Sequence, residues 1–204
     1  MEKLDATDVF SEWVSKKKDE GMEIGHAPSV NKMLSLINPK LNYMFAAVDV
    51  GCGNGWVCRK LSQNQKCKKI VGIDGSEKMI IKAKEIDPEG NYIHAKLPHW
   101  KPQEKFDLIH SMEFLYYLKD PLKMLKDFFN FWLNPDGLFI AGIDYYLENE
   151  DCHSWPEKLN VHMTKLSIND WKKGMLDAGF KDVEIHQVAS NENFIGTLVM
   201  FGKK

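Results

Sequence analysis

With 204 residues, 44% of them hydrophobic and 27% charged, the chain is long enough for a full core and has the composition of an ordinary soluble domain. A net charge of -2 excludes a global electrostatic pull toward nucleic acid or anionic lipid. No apolar run approaches the roughly 18 residues of a membrane span, and Met1-Glu2-Lys3-Leu4-Asp5 does not begin a signal peptide, so a cytoplasmic protein is expected.

The first forty residues precede an alternating pattern. Val9, Phe10, Trp13 and Val14 share one helical face, and Ser15 to Glu20 reads as the solvated polar end of that helix. Gly21 to Pro28 reads as a loop. Ser29 is then placed to cap a second helix carrying Val30, Met33, Leu34 and Ile37, which must stop near Pro39. The expected organisation is one domain over 1–204, with N-terminal helices in 1–40 and a core in 41–204.

Met44 to Val50 is apolar apart from Asp49 and predicts a strand buried on both faces. Gly51, Gly53 and Gly55 turn the chain into a helix from about Trp56 to Gln63. Ile70 to Asp74 is a second strand, and Ser76 caps a helix of Glu77, Met79, Ile80 and Ala83. Tyr92 to His94 and Phe106 to Ser111 supply strands three and four. Asp120-Pro121 opens a helix that turns Leu122, Leu125, Phe128, Phe129 and Trp132 inward, and Asn134-Pro135-Asp136-Gly137 reads as a turn before strand five, Leu138 to Ile143.

Asp144 to Leu166 lacks periodicity and is long for a connection, which is the mark of a functional or a disordered loop. Ser167-Ile168-Asn169-Asp170 is a capping box for a helix with Trp171, Met175 and Ala178 that ends at Gly179. Val183 to Val188 and Ile195 to Phe201 then form an antiparallel pair about a turn at Ser190 to Asn193. Strands alternating with helices predict an α/β fold with a parallel sheet covered on both faces. Cys52, Cys58, Cys67 and Cys152 form no C-x-x-C pair and have no His at ligand spacing, so they read as free thiols, with neither metal site nor disulfide.

A dinucleotide fingerprint would place its third glycine at position 56. Trp56 stands there, which argues against a nicotinamide oxidoreductase. The run Val48-Asp49-Val50-Gly51-Cys52-Gly53-Asn54-Gly55, with Asp74 closing Ile70-Val71-Gly72-Ile73-Asp74, resembles the first two motifs of the class I S-adenosylmethionine-dependent methyltransferases. That resemblance implies a Rossmann-like doubly wound, seven-stranded, mostly parallel sheet in the order 3-2-1-4-5-7-6, its last strand antiparallel, with N-terminal lid helices. It implies S-adenosyl-L-methionine as cofactor and S-adenosyl-L-homocysteine as product.

The resemblance also assigns residues. The turn of Gly51, Cys52, Gly53 and Gly55 would offer backbone to the methionyl part and the ribose, with Asp49 positioning the ammonium. Asp74 would accept both ribose hydroxyls. Gly75, Ser76 and Met79 would line the adenine pocket, and Ser111 would offer a carbonyl to the ammonium. After strand three the family commonly has an Asp for the adenine amino group. Here the stretch is His94-Ala95-Lys96-Leu97-Pro98-His99-Trp100, which leaves adenine to the backbone of Ala95 and Lys96 or to His94.

For the acceptor, Tyr116-Tyr117 stands where related small-molecule enzymes often carry a His pair. The Asn/Asp-Pro-Pro-Tyr signature and any basic stripe are absent, so nucleic acid is not the expected acceptor. Asp144-Tyr145-Tyr146-Leu147-Glu148-Asn149-Glu150-Asp151, with His153 and Trp155, suits a substrate bearing an amine, the alternative being a solvated acidic loop. The candidate general bases are His26, Tyr117, Asp144, Tyr146 and His153, while His110 and His186 read as structural and His162 stays undecided. The expected function is methyl transfer to a small molecule, an amine slightly preferred, by a monomer or homodimer without membrane partners. A protein side chain as acceptor, or a domain that binds the cofactor without catalysis, are the alternatives.

Overall fold

The computed structural model describes residues 3–204, so Met1 and Glu2 of the opening pentapeptide lie outside the described residues. Strands β1 (Phe45–Val50), β2 (Cys67–Asp74), β3 (Asn91–His94), β4 (Phe106–Met112), β5 (Leu133–Ile143), β6 (Lys181–Val188) and β7 (Thr197–Lys203) form one sheet. Its order is β3-β2-β1-β4-β5-β7-β6, and β7 runs antiparallel to both β5 and β6 while β1 to β5 pair in parallel. Helices α1 (Ala6–Ser15), α2 (Lys18–Ile37), α3 (Trp56–Ser62), α4 (Glu77–Ile86), α5 (Pro121–Asp127), α6 (Trp155–Leu159) and α7 (Ile168–Ala178) join and cover the strands. The Rossmann-like doubly wound architecture expected from the sequence is the one observed.

The reason lies in the apolar pattern. All six residues of β1 are buried, as a central parallel strand requires, because helices cover both sheet faces. One face carries Val48, Val50, Ile73, Phe139 and Trp171, and the other carries Val30, Met33, Ile37, Phe45 and Phe201. Local signals work as their residue types dictate: the Asp120 side chain accepts the Lys123 N–H with Pro121 following, Ser167 and Asp170 cap each other, and Gly179 ends α7 at φ +107°.

Strand order reverses between β1 and β4, and the crevice beyond their carboxyl ends is where such sheets take ligands. Across this switch Asp49 stands opposite His110 in register, and His110 Nδ1 lies 2.7 Å from Asp49 Oδ1. Cys58 Sγ donates to the other oxygen of Asp49. The imidazole is 0% exposed and its Nε2 has no partner among the described residues.

Three local expectations are corrected. Gly21 to Pro28 is no loop: α2 runs unbroken from Lys18 to Ile37 with Pro28 inside it, and Ser29, instead of capping, is buried with its Oγ 2.7 Å from Thr197 Oγ1. Burial of Val30, Met33 and Ile37 against the sheet outweighs the weak helix propensity of two glycines and a proline. Asn134 to Gly137 does not precede β5 but lies within it as an irregularity, since Leu133 pairs with Phe106 while Leu138 pairs with Leu108. The stretch from Asp144 to Leu166 holds a short 3-10 turn and α6, and Tyr145, Tyr146 and Cys152 are buried in the core.

Gly55 begins α3 at φ +79°, and a Cβ there would lie 2.4 Å from the Tyr92 ring. Left-handed strain and overpacking act together, so Gly55→Ala is expected to lose about 2–4 kcal/mol in a urea unfolding titration.

Candidate active site

A cavity of about 980 Å³ opens along the carboxyl ends of β1, β2 and β4, at the upper end of the size usual for small-molecule sites. Its floor is the turn Gly51 to Asn54, one side is Asp74, Gly75 and Met79, and the other is Met112 to Phe114 with Tyr117 and Leu118. Residues from both N-terminal helices complete it: Ala6, Thr7 and Phe10 of α1, and Asp19, Met22 and His26 of α2. The last three recur at helical spacing, so α2 turns one face to the cavity.

Asp74 closes the floor. One carboxylate oxygen accepts the Gly53 N–H at 2.9 Å and the other accepts the Ser76 N–H at 2.7 Å. Burial pushes its carboxyl above the ordinary aspartate value of 3.8, against the lowering effect of those two amides. The glycines divide by purpose. Gly53, at φ +54°, has nothing nearer to a virtual Cβ than Met79 Sδ at 4.0 Å, so its bare backbone faces open space. Gly51 and Gly55 instead give way to Phe114 and Tyr92.

The sequence-derived cofactor set falls into two groups. Asp49, Gly51, Cys52, Gly53, Asp74, Gly75, Met79, Ala95 and Lys96 all line the cavity. Gly55, Ser76 and Ser111 do not: Gly55 packs on Tyr92, Ser76 caps α4 and meets Ser11 Oγ at 2.8 Å, and Ser111 Oγ donates to the Val50 carbonyl. Asp49 reaches the cavity wall, but its two oxygens are engaged by His110 and Cys58. His94 is turned away onto the Gly75 carbonyl oxygen.

Of the proposed bases, His26 and Tyr117 line the cavity, and Asp144 stands directly behind His26, with Oδ2 3.7 Å from His26 Nε2. Thr197 Oγ1 donates to the other oxygen of Asp144 at 2.6 Å. Burial lowers the His26 pKa below 6.5 in spite of Asp144, so the ring is neutral at pH 7. The other two candidates lie elsewhere. Tyr146 is fully buried, donates to the Gly196 carbonyl and accepts from Gln187, while His153 is half-buried with its Nε2 on the Leu147 carbonyl, outside the cavity. The acidic stretch after β5 therefore packs inward through its aromatics instead of bordering the cavity.

Two residues stand in the site that sequence reasoning passed over. Glu113 lines the cavity at φ +54°, a conformation disfavoured for a side chain of its size, and accepts from Tyr116 OH at 2.7 Å and from the Asp144 N–H. Burial, and then the charge of Asp144, push its carboxyl well above the usual range. The signal was a single charge inside the apolar run Met112 to Leu118. Asp19, assigned to a solvated helix end, is 3% exposed and lines the cavity. His26, Glu113 and Asp144 bring ligand atoms within 4.8 Å of one another, close enough among the described residues to hold a cation.

A family model described as a methyltransferase domain matches residues 26–185. Trans-aconitate 2-methyltransferase of Escherichia coli (strain 55989 / EAEC) is 28% identical over 131 residues, 64% of this chain and 47% of that protein. The chain spans about half the length of the curated relatives it matches. Among solved structures, a methyltransferase from Haloferax volcanii, described in complex with the Trm112 methyltransferase activator, superposes with a TM-score of 0.81 at 24% identity, covering 95% of this chain and 96% of that one. The N-methyltransferase NodS from Bradyrhizobium japonicum WM9, in complex with S-adenosyl-L-homocysteine, superposes with a TM-score of 0.68 at 17% identity, covering 86% of each. With the Gly53 backbone bare toward the cavity and Asp74 beside it, the chain belongs to the class I S-adenosylmethionine-dependent methyltransferases.

Proposed function

We propose that the protein methylates an amine nitrogen of a small molecule, as a single functional unit in which α1 and α2 close over the cofactor. The observation that carries this reading is the group of His26 and Glu113 on the cavity wall with Asp144 directly behind His26. Two carboxyl groups, each raised in pKa by burial, sit where a cation would satisfy them, and an ammonium ion supplies both charge and donors. When bound, S-adenosylmethionine supplies an electrophilic methyl, whose C–S bond breaks as the acceptor's N–C bond forms and whose sulfur keeps the electron pair.

Before that displacement the ammonium must lose a proton. Neutral His26 receives it: a proton taken at Nε2 lands 3.7 Å from Asp144 Oδ2, which stabilises the imidazolium. Glu113 then holds the amine through a carboxylate fixed by Tyr116 OH and the Asp144 N–H. Phe10 and Tyr117, edge to face at 5.3 Å, help to keep water out. A carboxylate acceptor, such as the one in the name of the Escherichia coli relative, would bring Glu113 and Asp144 no compensating positive charge.

On the cofactor side, Asp74 is the residue we assign to the ribose hydroxyls, with Gly51, Cys52, Gly53, Gly75, Met79, Ala95 and Lys96 around it. No helix among the described residues is long and apolar enough to cross a membrane. A cytoplasmic monomer or homodimer remains our reading of its setting.

Asp74→Ala is expected to weaken S-adenosylhomocysteine binding by calorimetry about 100-fold, the loss of two charge-assisted hydrogen bonds. Binding by the wild-type protein should fall while the pH is still above 3.8, because the raised carboxyl takes up its proton early and the neutral form accepts hydroxyls poorly. With labelled methyl donor, primary and secondary amines should be methylated and matched carboxylic acids, trans-aconitate included, should not. His26→Ala should lower kcat about 100-fold with homocysteine-product affinity within about twofold. Transfer to the acids alone would contradict the amine assignment.

A further inference from the structure

The methionyl arm of the cofactor ends in an ammonium, and a carboxylate is its natural partner. Three other acids on the cavity wall are already engaged. Asp49 is held by His110 and Cys58, Asp74 by the amides of Gly53 and Ser76, and Glu113 by Tyr116 and the Asp144 N–H. Asp19 differs. Its Oδ2 accepts from Asn54 Nδ2 at 3.1 Å and from Lys82 Nζ at 2.6 Å, while its Oδ1 is buried without a partner among the described residues.

An unpartnered carboxylate oxygen away from water is costly, and native structures seldom keep one without a use for it. This one belongs to a side chain only 2% exposed, in the first turn of α2, and its residue lines the cavity with Gly53 and Asn54 of the glycine turn. Asn54 and Lys82 fix the carboxylate from two other elements, so its orientation is set before any ligand arrives. We infer that Asp19 holds the methionyl ammonium of the cofactor through Oδ1, making the N-terminal helix a binding element and not only a cover. The inference rests on the methyltransferase reading of the same cavity, and it gives Asp49 a structural task in place of the ammonium contact expected from the sequence.

The test compares two ligands that share the nucleoside and the thioether. S-adenosylhomocysteine carries the ammonium, and 5′-deoxy-5′-methylthioadenosine lacks the whole amino-acid arm. In calorimetry with the full chain, Asp19→Asn, which keeps the shape and the acceptor for Asn54, should weaken S-adenosylhomocysteine about tenfold or more and methylthioadenosine less than about twofold. Lys82→Met removes the ion pair but leaves the carboxylate and its Asn54 contact, so it should change the ratio of the two affinities less than Asp19→Asn does. The assignment is overturned if Asp19→Asn weakens both ligands equally, which would mark a purely structural latch, or if Lys82→Met changes the ratio as much as Asp19→Asn does. A wild-type protein that binds neither ligand would instead remove the cofactor reading itself.

Discussion

One carboxylate sets the geometry on which the site depends. Asp74 ends β2 and accepts two backbone N–H groups, one from the glycine turn after β1 and one from Ser76, the cap of the following helix. Three pieces of chain are thereby fixed to one another without any ligand. The arrangement is available because parallel strands deliver their carboxyl ends to a common rim, and because Gly53 can hold φ +54° without a side chain intruding on the space above it. The same buried position raises the proton affinity of Asp74, so the group that organises the floor is also sensitive to acid.

The sheet was legible in the sequence because its signals are local. Val48 to Gly55, Asp74, the cap at Asp120-Pro121 and the box at Ser167 to Asp170 each specify a conformation through a few neighbouring residues, and the structure realises all of them. Where the reading failed, tertiary burial overrode local chemistry. Gly21, Gly25 and Pro28 signal a loop by every propensity rule, yet the apolar face of Val30, Met33 and Ile37 carries the helix through them. That single change of element decides what covers the cavity, because it places Asp19, Met22 and His26 on one face of one helix.

The site was legible on the cofactor side and only partly on the acceptor side. Glycines and a spaced aspartate form a pattern, whereas Glu113 and Asp19 are ordinary acids whose importance comes from burial. Asp19 sits in a run with Lys16, Lys17, Lys18 and Glu20, and no property of that run tells which charge turns inward. Tyr146 and His153 fail in the opposite way. They lie close to Asp144 in sequence, but the chain folds inward after β5, so one enters the core and the other is half-buried against the Leu147 carbonyl, away from the cavity.

The bond between Asp49 and His110 has a consequence for assembly. These residues face each other across the central strand pair, between Val48 and Val50 on one side and Ile109 and Ser111 on the other. A slip of β4 by one residue would bury a carboxylate and an imidazole each without the other, among apolar neighbours, at a penalty of about 3–5 kcal/mol. Hydrophobic strands alone tolerate such slips, since valine and isoleucine are nearly interchangeable as neighbours. The polar pair therefore favours one alignment of the central strands over its slipped neighbours, and with it the crevice beyond their ends.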